Sequence, residues 1–232
     1  MSRITRKELK TDGFALEVGH TLTFVEEHRD KAIRYGGIAL AVIAAVVVFT
    51  SYQRNQHTAR EDALARAIEV REAAVGQSGS GGLSYPTQDA KDAESIRVFT
   101  ALRNAYPGSD EGVIAQYYLG AILADQGKLA EGEKAFQEAS QKGSAKYSSL
   151  AKLSLAQIYF SDGRDAQGET TLRDLIAHPS VFVSADQATV TLARFIGQKK
   201  PAEARKLLDP LRTKQGAVGT VAINLYNELP TQ

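Results

Sequence analysis

Charge disappears from the chain between residues 36 and 52, where the sequence reads GGIALAVIAAVVVFTSY. As a helix this segment spans roughly 26 Å at ~1.5 Å per residue. A hydrocarbon core is about 30 Å thick, and ~17–25 apolar residues cross it. Tyr35 and Tyr52 stand at its two ends, where amphipathic rings favour a membrane interface. The pattern predicts a transmembrane helix over residues 36–53, after a tail of residues 1–35. The run starts too late for a cleaved leader, and Thr50-Ser51-Tyr52-Gln53-Arg54 offers no A-x-A-like site, so a retained signal anchor is expected. Arg29, Lys31 and Arg34 precede the segment, against Arg54 and Arg60 after it. This bias favours a cytoplasmic N-terminus, with the larger part of the chain outside.

In the tail, Phe14, Val18, Leu22 and Val25 recur on one helical face. A short amphipathic helix is expected there, with Asp12 as its N-cap. Beyond the span, residues 56–75 carry Ala59, Ala63, Leu64, Ala67, Ile68 and Val70 at helical spacing. The pattern then breaks at GQSGSGG, which predicts a Gly/Ser-rich loop over residues 76–92.

From residue 93 onward a 36-residue period appears. Leu119-Gly120 aligns with Leu155-Ala156, and Gly127 with Gly163. Gly132, Gly168 and Ala204 keep the period, as do Phe136, Leu172 and Leu208, and Ala139, Leu175 and Leu211. Small residues fit where helices cross closely, large ones fill the layers, and Gly127 and Gly163 suit left-handed turns. A helix pair that cannot bury its apolar faces alone must stack on its neighbours. Phe99 and Pro107 mark an upstream half-repeat, paired with residues 56–75. A further repeat is expected over residues 184–214, with Pro201 opening its second helix, and a last amphipathic helix over residues 218–229. No strand is predicted. The fold class is therefore all-α: a single N-terminal transmembrane helix, then an α-solenoid of helix pairs within residues 54–232.

These residues resemble the tetratricopeptide repeat, whose ~34-residue motif has L-G, a Tyr, then Ala and Phe on the second helix, then Pro. Gln116 and Lys152 stand where that motif has Trp. The order tail, span and degenerate repeats resembles the bacterial family of the ancillary subunit of the SecYEG translocon. That resemblance implies a single-pass protein of the inner membrane, with its N-terminus cytoplasmic and its repeats periplasmic. It would be an adaptor between protein export and periplasmic chaperones. The partners implied are translocon subunits, periplasmic chaperones or exported chains, besides the lipid bilayer. An envelope scaffold for cell-division, wall-synthesis or pilus assembly is the alternative.

Composition narrows the chemistry. Lys plus Arg number 28 against 27 Asp plus Glu, so no basic excess points to nucleic acid. Cys is absent, which excludes thiolate metal sites, disulfides and a cysteine nucleophile. His20, His28, His57 and His178 have no spaced ligand partner. No nucleotide-binding loop, metal site, cofactor or small-molecule substrate is expected, and neither is catalysis. Binding remains. On the motif's register the first helices of two repeats expose Ile114, Tyr117, Ala121 and Ala124, then Leu150, Leu153, Gln157 and Phe160. These residues form the expected partner-binding groove, suited to a peptide with apolar side chains. Related adaptors hold a C-terminal carboxylate with Lys and Asn. Tyr117, Leu153, Ala121 and Gln157 replace them here, so that mode is not expected.

Overall fold

The computed structural model describes the backbone of residues 6–76 and 82–230, and side chains of residue 31, 33–76 and 82–230. The chain forms two compact units, Met1–Thr58 and Ala59–Gln232.

One helix, α1 (Arg6–Glu72), dominates the first unit. It begins at Arg6 rather than at Asp12 and is unbroken at the boundary expected near residue 35. No Pro interrupts it, and the Gly36-Gly37 pair costs only about 1 kcal/mol per Gly relative to Ala. The side chains of Phe14, Val18, Leu22, Val25, His20 and His28 lie outside the described residues. From Ile33 the helix is long and apolar enough to cross a membrane, with a mean hydropathy of 2.0 and no buried side chain in its most apolar stretch. Leu40, Val48 and Phe49 are all exposed, so among the described residues of this unit none covers the apolar face. The Thr50 hydroxyl, next to Phe49 in the run, donates to the Val47 carbonyl at 3.0 Å.

The second unit begins with residues 59–72 of α1 and continues through α2 (Gln88–Ala105), α3 (Asp110–Asp125), α4 (Leu129–Lys142), α5 (Ala145–Ser161), α6 (Asp165–Ala177), α7 (Ala185–Ile196), α8 (Pro201–Arg212) and α9 (Ala217–Glu228). The end of α1 supplies the missing partner of α2: Ala67 is buried with Phe99 and Leu102, and Ala63, Leu64 and Ile68 pack around them. Side-chain caps start three helices. Thr87, Ser109 and Ser184 accept the backbone N–H of Ala90, Gly112 and Gln187 respectively. The α2 helix ends at Ala105, just before Pro107, as a residue lacking an N–H requires. Gly127 and Gly163 adopt φ of +76° and +73°, closing the α3–α4 and α5–α6 turns.

Between α1 and α2 the structure adds a feature absent from the sequence reading. Ala74–Val75 (β1) pairs in parallel with Ser84–Tyr85 (β2), and α2 starts at Gln88, inside the loop expected to reach residue 92. A two-residue strand is too short to leave an alternation signal.

The core follows the period. Phe136, Leu172, Leu208, Ala139, Leu175 and Leu211 are all buried. Glycine is required where rings approach. A Cβ on Gly120 would come within 2.9 Å of the Phe136 ring, and one on Gly168 within 2.6 Å of the Phe160 ring. The period also carries an ion pair. Arg164, at the α5–α6 turn, reaches Glu133 on α4 at 2.5 Å. Lys200, at the α7–α8 turn, reaches Glu169 on α6 at 2.5 Å. Both partners advance by one repeat. At the two ends of the series the acid is replaced by Arg. Arg97 pairs locally with Glu94, while Arg205 donates to the Leu229 carbonyl and lies over the Tyr226 ring, fastening α9.

Candidate functional site: a groove on α5, α7 and α9

The odd-numbered helices of the repeat unit lie beside one another. At their starts Asp110 meets Lys146 at 3.1 Å, and Asp186 meets Lys214 at 2.6 Å. Along this surface α5, α7 and α9 enclose a depression of about 350 Å³. Val190 and Phe195 of α7 and Val218 and Val221 of α9 line it with apolar surface. Gln157, Gln187 and Thr191 supply polar groups. Few polar groups around an apolar lining is the usual makeup of a recognition pocket.

Two charges border the depression. Asp186 lies in the first turn of α7, and both of its oxygens accept from Lys214, at 2.7 and 2.6 Å. Arg194 is exposed and has no ion pair among the described residues. The acid is neutralised in place, so among the described residues Arg194 is left as the cation beside apolar surface.

The eight residues expected to form the groove have divided roles. Ile114, Tyr117, Ala121 and Ala124 are half-buried on α3. The Tyr117 ring packs at 5.4 Å from Phe136 and 5.9 Å from Tyr118, and Ala121 and Ala124 pack on the core of the α3–α5 layer. Leu150 and Leu153 pack on the core shared by α5 to α9. Phe160 lies between Gly168 and Phe195, stacked on the latter with centroids 4.4 Å apart and planes 3° from parallel. Only Gln157 of the eight is exposed, and it alone of them lines the depression.

The α7 and α9 residues escaped the sequence reading because the register slips. Ala151, Leu155 and Ala156 of α5 correspond to Ala188, Leu192 and Ala193 of α7, one residue beyond the 36-residue period. The second helices stay on the period. A separate alignment of the first helices exposes the slip and matches Leu150, Leu153 and Gln157 with Gln187, Val190 and Arg194, which line the depression.

The motif's missing Trp positions have other uses. Gln116 accepts from Arg103 at 3.3 Å, and Lys152 pairs with Asp174 at 2.7 Å. Lys152, and then His178, hold the Asp174 carboxyl below its ordinary range. His178 Nδ1 is 3.0 Å from that carboxylate and exposed. Among the described residues no three His, Asp or Glu side chains gather as metal ligands would.

The family model of the tetratricopeptide repeat-like domain matches residues 31–206. The chain belongs to that family. The match runs from the apolar segment of α1 into α8, leaving α9 as an addition beyond it. No curated protein and no solved structure matches the chain. The tetratricopeptide repeat-like fold is typically a protein-interaction fold without catalytic activity, and its domains generally bind proteins.

Proposed function

We propose that this chain is a membrane-anchored protein-interaction module. The apolar part of α1 holds it in a bilayer, and the α5–α7–α9 groove takes an apolar segment of a partner protein. One observation carries the reading: an apolar depression on the repeat surface, beside Arg194, which has no ion pair among the described residues. A tether makes even weak groove contacts sufficient, because it raises the partner's effective concentration. The resemblance to the ancillary translocon subunits gives the reading its specific form. The protein is then an adaptor of the bacterial inner membrane, N-terminus cytoplasmic and repeats periplasmic, serving translocon subunits, periplasmic chaperones or exported chains.

The test is in-cell crosslinking of the full-length protein from single photoreactive positions. Val221 lies in the groove, and Lys134, exposed on α4, is the control. Translocon subunits or periplasmic chaperones captured from Val221 but not Lys134 support the adaptor. Division, wall or pilus proteins replace it with the scaffold. Equal capture from both positions refutes the groove.

A further inference from the structure

We propose that Val181 and Phe182, at the tip of the α6–α7 loop, contact lipid. They insert among the headgroups of the bilayer that α1 crosses. This rests on the reading of α1 as a span.

Val181 is 91% exposed, more than any large apolar residue of α1 among the described residues, and Phe182 beside it is 41% exposed. The loop holds them out firmly. The Ser180 hydroxyl oxygen accepts the N–H of Phe182 at 3.2 Å and of Val183 at 3.0 Å. The same hydroxyl bonds Ser149 at 2.6 Å, and the Ser180 N–H donates to the Val183 carbonyl at 2.9 Å. Val183 is fully buried and anchors the loop from below. A loose loop could fold its apolar tip inward, and this one is pinned against doing so.

The position of the tip within the repeat unit selects lipid. Arg60 meets Glu111 at 3.4 Å, and Arg71 meets Asp125 at 3.1 Å. Residues 59–72 of α1 therefore run parallel to α3, and residue 60 lies on the edge where α3 starts. The starts of α5 and α7 share that edge, joined by the Asp110–Lys146 pair and by the Tyr147 and Phe182 rings, 5.3 Å apart. The apolar segment ends at Tyr52. Eight further residues reach at most ~29 Å to residue 60, even fully extended. The opposite edge lies a further helix length away, roughly 24 Å for the 16 residues of α3.

The chemistry of the edge agrees. Lys146 Nζ sits 4.6 Å over the Tyr147 ring, and Lys142 is exposed without an ion pair among the described residues. Aromatic rings and long cationic side chains beside an apolar tip suit a membrane interface. Two apolar side chains would bind a free vesicle weakly, but a tethered tip meets the surface at high effective concentration.

The test uses the full-length chain in phosphatidylethanolamine–phosphatidylglycerol vesicles. The chain lacks Cys, so Val181→Cys and, as a control on the opposite edge, Gln126→Cys each give one site for an environment-sensitive fluorophore. Both positions are exposed, so neither change disturbs packing. Retention of the protein on vesicles through an alkaline wash tests the span. With the protein retained, headgroup-proximal quenching lipids should dim the label at 181 and not at 126. Phe182→Asp should abolish the difference. Equal quenching at both positions overturns the lipid contact and leaves the span intact. Loss of the protein in the wash refutes the span and overturns the lipid contact with it.

Discussion

Gly168→Ala tests whether the repeat unit is held by the ring packing described above. The new Cβ would stand 2.6, 2.7 and 2.9 Å from three atoms of the Phe160 ring. Real Cβ atoms do not approach so closely, and the ring has little room to retreat because Phe195 stacks on its far side at 4.4 Å. Overpacking of this kind costs ~1–3 kcal/mol. Against it stands the helix-propensity gain of Gly→Ala, about 0.8–1.0 kcal/mol. The net expectation is destabilisation by ~0–2 kcal/mol, which this propensity gain alone would reverse in sign. The decisive measurement is therefore a double-mutant cycle with Phe160→Ala. Without the ring the clash is gone, and Gly168→Ala should stabilise by about 1 kcal/mol. The coupling between the two sites should be ~1–3 kcal/mol. Urea unfolding of the full-length chain in detergent, followed by far-ultraviolet circular dichroism, reads both legs. A thermal scan should shift by roughly 2–4 °C per kcal/mol. Identical effects of Gly168→Ala in the two backgrounds, within about 0.5 kcal/mol, would refute the ring-packing argument.

Gly163→Ala should cost ~1–2 kcal/mol in the same unfolding assay, with Gly163→Asn milder, because φ is +73° and no neighbour lies within 4 Å of a Cβ. Ser180→Ala should destabilise by about 1–3 kcal/mol and speed amide exchange at Val183, since it strips a partner from the buried Ser149. Lys200, and then Arg173, hold the Glu169 carboxyl below its ordinary 4.5. A lowered folded-state value means stabilisation that is full above that ordinary value and lost as pH falls through the folded one. Glu169→Gln should therefore lower the melting temperature near neutral pH and flatten its fall below pH 4.5, and 1 M salt should shrink the difference. Phe160→Glu should unfold the α5–α8 layer, with loss of helical dichroism, because it places a charge between two packed faces.

Much of this fold was legible because its main constraints are local or periodic. The uncharged run of residues 36–52 reads directly as a helix long and apolar enough to cross a membrane. The positions of Gly127, Gly163, Pro107 and Pro201 mark turns through backbone geometry that each residue carries wherever it stands. The 36-residue period of Phe136, Leu172 and Leu208 records a stack, because each layer must be filled by what the layer before it left open. The sequence by itself therefore determined the helices of the repeats, their order and their pairing, though not the short β1–β2 pair.

Other features depend on side chains far apart in the chain, and those only the tertiary structure decided. The motif's register puts Phe160 on the exposed face, and only the packing of α7 against α5 sets the protein's own Phe195 upon it. The ion pairs of Arg164 with Glu133 and Lys200 with Glu169 obey the period, yet nothing short of the packed turn says that they meet. Val181 reads as one more apolar residue until the hydrogen bonds of Ser180 fix it facing outward. The physical reason is common to all three. Period and propensity set which face of a helix is apolar, but exposure is settled only when the neighbouring helix takes up its place.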